Sequence, residues 1–403
     1  MNDLSDILEE FVCSEVVVID KDGNKSACEG KIVCYNNGDA EFQTRDCFNC
    51  SLVENARMTG KTKEGMAFEI RGVWCVDKFE RHEVGNPVKY EARFSFEKAI
   101  LTADDTLLPE FEDHVIVNLN TTGKREVRFT CGGKKCLLVF DHLRGIATLR
   151  ADEQLGISSD ILMLLSLAQR NVFFSPIRKT YNGTTLSKIS IFPNKGLRSA
   201  HPMISRDAEK LAKFIENAWP YYTKNQEEYN LPRLFQFYCL SIADEIVEVK
   251  FILASVFMEA FKFYWALNVG KKIRFPESGL IRGFRRSKGE GKYSFKDLLE
   301  EACTDVGCKK TETGFIDNRN ALFHSGAFKY EQMNSSESKK QIVPELFTLY
   351  RQIDEILLRL IGYAGPIYEY GKPDEPVIFP FGGAGGAEGE EPKGSEGVRA
   401  QEL

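Results

Sequence analysis

The chain predicts an α+β multidomain protein, in which an antiparallel β-rich part (sandwich or barrel-like) precedes an all-α helical bundle. Three observations predict it. Short apolar runs separated by Gly, Asn and Asp turns fill the first 200 residues. From Ile204 onward the apolar residues recur instead at three- and four-residue spacing. Between the two, residues 193–202 are punctuated by Pro193, Gly196 and Pro202, which read as a boundary. The expected division is 1–200, 201–370 and an acidic, Gly-rich tail at 371–403.

Residues 4–11 read as a short helix. Glu15-Val16-Val17-Val18-Ile19 then runs into Asp20-Lys21-Asp22-Gly23, a strand followed by a turn. Residues 31–35 lead to Asn36-Asn37-Gly38-Asp39, a second strand with a hairpin signal. Further strands are expected at 66–77, 88–96, 115–120, 126–131 and 136–141. Residues 158–170 start on Ser and Asp and continue with an apolar pattern, which predicts a helix. A last strand pair is expected at about 172–181 and 187–192.

In the second half, Ser205-Arg206-Asp207-Ala208-Glu209 opens a helix to about Trp219, with acidic residues in its first turn. Residues 234–267 are helical with one break. Their polar residues, among them Glu259 and Lys262, form a narrow stripe, so most of the circumference is buried. Helices are also expected at 294–303, 315–325 and 341–363. The segment from Gly371 onward cannot bury a core and reads as disordered.

Composition narrows the function classes. Net charge is −6, so nucleic-acid contact must come from a local patch. Arg282, Arg285, Arg286 and Lys288, set around Phe284 among glycines, make such a patch for an RNA backbone, or else a solvated loop. Eleven Cys lack a disulfide rhythm, and the acidic N-terminus shows no signal-peptide pattern, which points to a reducing, cytoplasmic setting. The most apolar run, 251–267, carries Glu259 and Lys262 and reads as a core helix, so no membrane contact is expected. Cys47, Cys50, Cys131 and Cys136 would make a split zinc site. Cys131 and Cys136 also close a hairpin, where thiols face each other without metal, so neither a metal nor another cofactor is expected. Cys303 and Cys308 share that four-residue separation. Hydrolase triads, P-loops and dinucleotide fingerprints are absent.

The most informative stretch is Phe315-Ile316-Asp317-Asn318-Arg319-Asn320-Ala321-Leu322-Phe323-His324-Ser325-Gly326. It reads as a helix ended by Gly326. On a helical wheel Phe315, Ile316, Leu322 and Phe323 share one arc, with Arg319 in its middle. Asp317, Asn320 and His324 share the next arc. A guanidinium in an apolar arc must meet a carboxylate, a phosphate or a partner chain. Glu259, in an otherwise apolar stretch, is a candidate carboxylate beside other acids of the bundle; it reads equally as part of a thin solvated stripe with Ser255 and Lys262.

Arg319-Asn320, three residues, then His324, followed by Ser325-Gly326, resembles the signature of HEPN domains. A bundle carrying that motif near its end, joined to a β-rich N-terminal part, resembles the ApeA-type bacterial defence proteins. The resemblance implies a metal-independent RNA endonuclease, a toxin-like effector of abortive anti-phage infection. It also implies a homodimer through the bundle, tRNA or mRNA as substrate, and a phage-derived trigger at the N-terminal part. Arg319, Asn320 and His324 take the catalytic positions, with Glu259 and Asp317 in support. His324 has the chemistry for the base and the acid, because imidazole titrates near neutrality. Arg319 suits bidentate phosphate binding, and Asn320 can orient the imidazole or a phosphate oxygen. Two readings compete with this one. The chain is then an inactive HEPN-like dimer that binds RNA, a nucleotide or a protein, or a bundle in which Arg319 merely pairs with Glu259 and His324 caps a helix.

Overall fold

A computed structural model describes residues 7–44, 54–81, 89–103, 111–151, 157–191, 201–274, 284–285, 293–326, 328 and 336–379, except positions 21, 24, 117, 118, 120, 174, 183, 184, 244, 245, 309 and 371. The described strands are β1 (Ile7–Ile19), β2 (Lys25–Tyr35), β3 (Ala40–Thr44), β4 (Glu54–Thr62), β5 (Ala67–Arg81), β6 (Lys89–Ser95), β7 (Lys98–Thr102), β8 (Phe111–Ile116), β9 (Glu126–Cys131), β10 (Lys134–Asp141), β11 (Ile146–Ala151), β12 (Ile177–Asn182) and β13 (Thr185–Ile191). They form one antiparallel sheet in the order β4-β1-β2-β3-β6-β5-β7-β13-β12-β8-β11-β10-β9. β4 also pairs with β5, so β1, β2, β3, β6, β5 and β4 close a six-stranded barrel. Closure removes the open edges that such a ribbon would otherwise expose.

β5 is the strand where barrel and open sheet meet. Its first residues, Ala67 to Arg71, pair with β7, and from Trp74 onward it pairs with β6. The change of partner falls at Gly72, whose φ is +63°. The positive φ favours glycine; a Cβ there would also lie 2.5 Å from the exposed Glu97 side chain, which would have to move aside. The barrel core is built of Val16, Ile32, Phe42, Met58, Ile70 and Phe94.

The segment expected as a helix at 4–11 is instead the start of β1, from Ile7 on. Hydrogen bonding of residues 7–11 to β2, from Ile7 opposite Tyr35 to Phe11 opposite Ile32, overrides the local helix pattern; β4 joins the other side of β1 only from Cys13 onward. Strands β3, β4, β7 and β11 were not legible as separate elements, and β8 starts four residues before the expected 115–120 segment.

The helices are α1 (Ile157–Gln169), α2 (Ala208–Tyr229), α3 (Leu231–Ala243), α4 (Val247–Tyr264), α5 (Phe295–Asp305), α6 (Phe315–Ser325) and α7 (Ser336–Leu360). A π-helical turn, Trp265–Val269, extends α4. α2 runs through Pro220, ten residues past its expected end, because its buried face continues to Tyr229. Asp207 caps its start, accepting from the Lys210 amide at 2.9 Å. The helix expected at 234–267 is indeed broken once, between α3 and α4.

Two short hairpins complete the fold: β14 (Ile273–Arg274) with β15 (Phe284–Arg285), and β16 (Gly365–Glu369) with β17 (Lys372–Phe379). β17 corrects the expectation of disorder from Gly371 onward: pairing with β16 orders residues 372–379 despite their polar composition. The remainder of the tail lies outside the described residues.

A second hydrophobic core reaches from Ile116 to Ile367. It draws residues from both sides of 193–202 and joins β9–β11 and α1 to α2–α7. The apolar helix Val247–Val269 is long enough to cross a membrane by composition. Here Phe251, Ala254, Phe257, Met258 and Phe261 on it are buried in that core.

Candidate functional site

α6 is short, and two features set its ends. Gly314 opens it without a side-chain cap. Gly326 closes it in the left-handed conformation at φ 71°, and its amide donates to the Leu322 carbonyl at 3.0 Å. The inward face is Phe315, Asn318 and Leu322. This face is turned away from the arc expected from the sequence. Phe323 lies outside it, 52% exposed, and Arg319 sits at its margin. The turn is set by Asn318, whose buried amide donates to Glu345 on α7 at 2.7 Å.

Arg319 meets the carboxylate that its placement demanded. Its Nη2 donates to Glu259 Oε2 on α4 at 2.8 Å, and its Nη1 donates to Asn320 Oδ1 at 2.9 Å. The guanidinium carbon lies 4.7 Å from the centre of the Phe295 ring and 5.4 Å from that of Phe323. Cation–π contacts of this kind contribute about 0.5–1 kcal/mol each. Phe295 opens α5, which Ser294 and Asp297 fix with a reciprocal capping box, and its ring packs edge-on against Phe315 at 6.1 Å. Of the five N–H groups on the guanidinium, two are used. Arg319 Nε is buried and has no partner among the described residues.

Glu259 also accepts from Lys262, Oε1 to Nζ at 2.7 Å. The Lys262 side chain is only 5% exposed, and its Nζ lies 4.8 Å from the same Phe295 ring. Sequence reading placed Lys262 on a polar stripe and gave it no role. The signal was its position three residues after Glu259, where helix geometry brings the two side chains together. Phe295, Phe323 and Asn318 were missed as parts of the site for a simpler reason: nothing local distinguishes them from ordinary core residues.

Asp317, Asn320 and His324 share one exposed arc, as the wheel predicts. Among the described residues the His324 side chain makes no hydrogen bond or ion pair. Arg319 and His324 are five positions apart, which is about 7.5 Å along the helix and about 140° around it. One α6 therefore turns its arginine and its imidazole to different sides.

Among the basic candidates, Arg285 lies in β15, where its backbone pairs with Ile273. Its neighbour Phe284 is buried against Phe263, ring centres 5.8 Å apart. Arg282, Arg286 and Lys288 lie outside the described residues, as do Cys47 and Cys50 of the zinc candidate. Cys131 and Cys136 are buried, free thiols on β9 and β10. A hydrogen bond with the Cys136 thiol, together with burial, pushes Cys131 far above the ordinary thiol range. Cys308 is raised in the same way by Cys303 and by burial. Among the described residues no cluster of three or more His, Cys, Asp and Glu is placed to hold a metal.

No protein-family model, no curated protein and no solved structure matches the chain.

Proposed function

We propose that the chain is a metal-independent RNA endonuclease of HEPN type, acting in the cytoplasm as a toxin-like effector of anti-phage defence. The observation that carries this reading is the state of Arg319. It is clamped by Glu259 and Asn320 between two phenyl rings, yet only two of its five N–H groups are used and its side chain stays 23% exposed. A guanidinium so held is preorganised for a phosphate oxygen, the group whose charge grows as the 2′-hydroxyl attacks.

His324, exposed on the next arc, supplies the proton transfers. As base it removes the 2′-hydroxyl proton, and as acid it protonates the departing 5′-oxygen. The products are a 2′,3′-cyclic phosphate and a 5′-hydroxyl. One imidazole cannot stand on both sides of the phosphate at once. The angle of about 140° between Arg319 and His324 also keeps one helix from converging on one phosphate. A homodimer that apposes two α6 helices meets both demands, and the exposed Phe323 offers it an apolar contact.

The Arg319–Glu259 ion pair also favours a second reading. An inactive HEPN-like dimer that binds RNA, a nucleotide or a protein needs Arg319 to be no more than anchored. The experiment compares cells induced for the wild type, Arg319→Ala and His324→Ala, with and without phage challenge, and maps new 5′-hydroxyl RNA ends. Toxicity and new ends in the wild type, lost in both soluble variants, uphold the nuclease. Indistinguishable RNA from all three moves the binding reading ahead.

A further inference from the structure

Glu259 uses its two carboxylate oxygens on two different cations. Oε2 holds Arg319 at 2.8 Å and Oε1 holds Lys262 at 2.7 Å. Both cations rest on the Phe295 ring, with Arg319 at 4.7 Å and Lys262 at 4.8 Å. The two differ in access: Lys262 is 5% exposed, while Arg319 lies 23% open.

We propose that Lys262 is a positioning residue for Arg319: it neutralises Glu259, so that the carboxylate fixes the guanidinium without cancelling its charge toward an incoming phosphate. Two cations and one carboxylate leave these three groups with a formal charge of +1, and of the two cations Arg319 is the accessible one; Glu259 is 23% exposed as well, so its charge reaches the same side. Had Glu259 only Arg319 to pair with, the pair would be neutral and would offer a phosphate little attraction. A carboxylate beside an anion site repels the anion unless a second cation answers it. Burying an ammonium is costly unless it is paired, so a lysine at this position is explained poorly by packing alone; Met would fill the same volume. Lys262, on the other oxygen of Glu259 and only 5% exposed, does not compete with Arg319 for the ligand. The identity of the anion as an RNA phosphate rests on the ribonuclease reading; the charge balance itself does not.

The test uses the full chain and two probes. The first is inorganic phosphate, read as a concentration-dependent rise in Tm. The second is a fluorescent single-stranded RNA, read by anisotropy at one fixed low salt concentration. Lys262→Met is expected to weaken both by roughly tenfold, the size of one lost charge-assisted contact. Lys262→Arg is expected to keep both. The decisive variant is the double Lys262→Met/Glu259→Gln, which restores the +1 balance and is expected to recover most of the loss. A purely structural role for Lys262 would not be rescued by removing its partner's charge. Should Lys262→Met fail to fold, Lys262→Gln replaces it in the same comparison.

Wild-type binding by Lys262→Met, or a folded double variant as weak as the single, overturns the proposal. So does a wild type that responds to neither probe. If phosphate follows the expected pattern while the wild type leaves all RNA uncut, the ribonuclease reading fails and the role of Lys262 stands.

Discussion

Two arginines of this chain are both held by a carboxylate on a neighbouring helix and lie against an aromatic ring, and they differ in burial and in how many of their donors are used. Arg170, just past the end of α1, is 0% exposed. Its Nε donates to Tyr238 Oη at 3.0 Å, its Nη1 to the His201 carbonyl at 3.5 Å and its Nη2 to Asp354 Oδ2 at 2.5 Å. Tyr238 in turn donates to the second oxygen of Asp354, and Tyr370 lies 5.7 Å from the guanidinium. Each nitrogen of Arg170 is used, and the group ties α1 to α3 and α7. Burial raises the Asp354 carboxyl above its ordinary range, against the opposing pull of Arg170. Arg319 is 23% exposed, uses two of its five N–H groups, and shares its carboxylate with a lysine. A closed network in the interior serves the fold, whereas an open one at the surface is available for a ligand.

The sharpest way to break this contrast is Arg170→Ala. It leaves Asp354 buried without its cation, and the expected loss is about 3–5 kcal/mol of stability by urea unfolding. Arg319→Ala is expected to cost about 1 kcal/mol or less in the same measurement, because Glu259 keeps Lys262 and the site is open to water. The same variant should abolish RNA cleavage. If both substitutions destabilise equally, Arg319 is a second structural arginine.

A smaller effect is expected from Asp160 on α1, which accepts from Tyr222 Oη at 2.8 Å and from Gln226 at 2.9 Å. Burial raises its pKa above the ordinary 3.8 despite those two bonds. The folded form then binds the proton more tightly than the unfolded one, so this group's contribution falls as pH rises from 3.8 through the raised value. Asp160→Asn should remove that part of the slope in unfolding midpoints measured across the window; an unchanged slope would place the titration elsewhere.

The smallest effect on the fold belongs to Phe323→Ala. Its ring is exposed, and the change in stability is expected to stay within about 0.5 kcal/mol. If Phe323 lies in a dimer contact, sedimentation will show a shift toward monomer at equal concentration. An unchanged distribution would remove Phe323 from that interface.

Local pattern alone determined a good deal. The turns at Gly23 and Gly38, the helix of α6 ended by Gly326, the break between α3 and α4, and the need of Arg319 for a carboxylate all follow from neighbours a few residues apart. Glu259 could be named as a candidate for that carboxylate because the stretch around it is otherwise apolar. Other features depended on distant chain. Residues 7–11 joined a strand because β2 pairs with them, and residues 372–379 became ordered because β16 lies beside them. The rotation of α6 was set by one bond from Asn318 to Glu345, 27 residues away, which brought Asn318 inward and left Phe323 in water. The stacking of Lys262 and Arg319 on one Phe295 ring joins three helices, and no spacing within any one of them encodes it. Periodicity reports which face of an element is apolar. Which neighbour that face meets, and what charge waits there, is decided only when the elements pack.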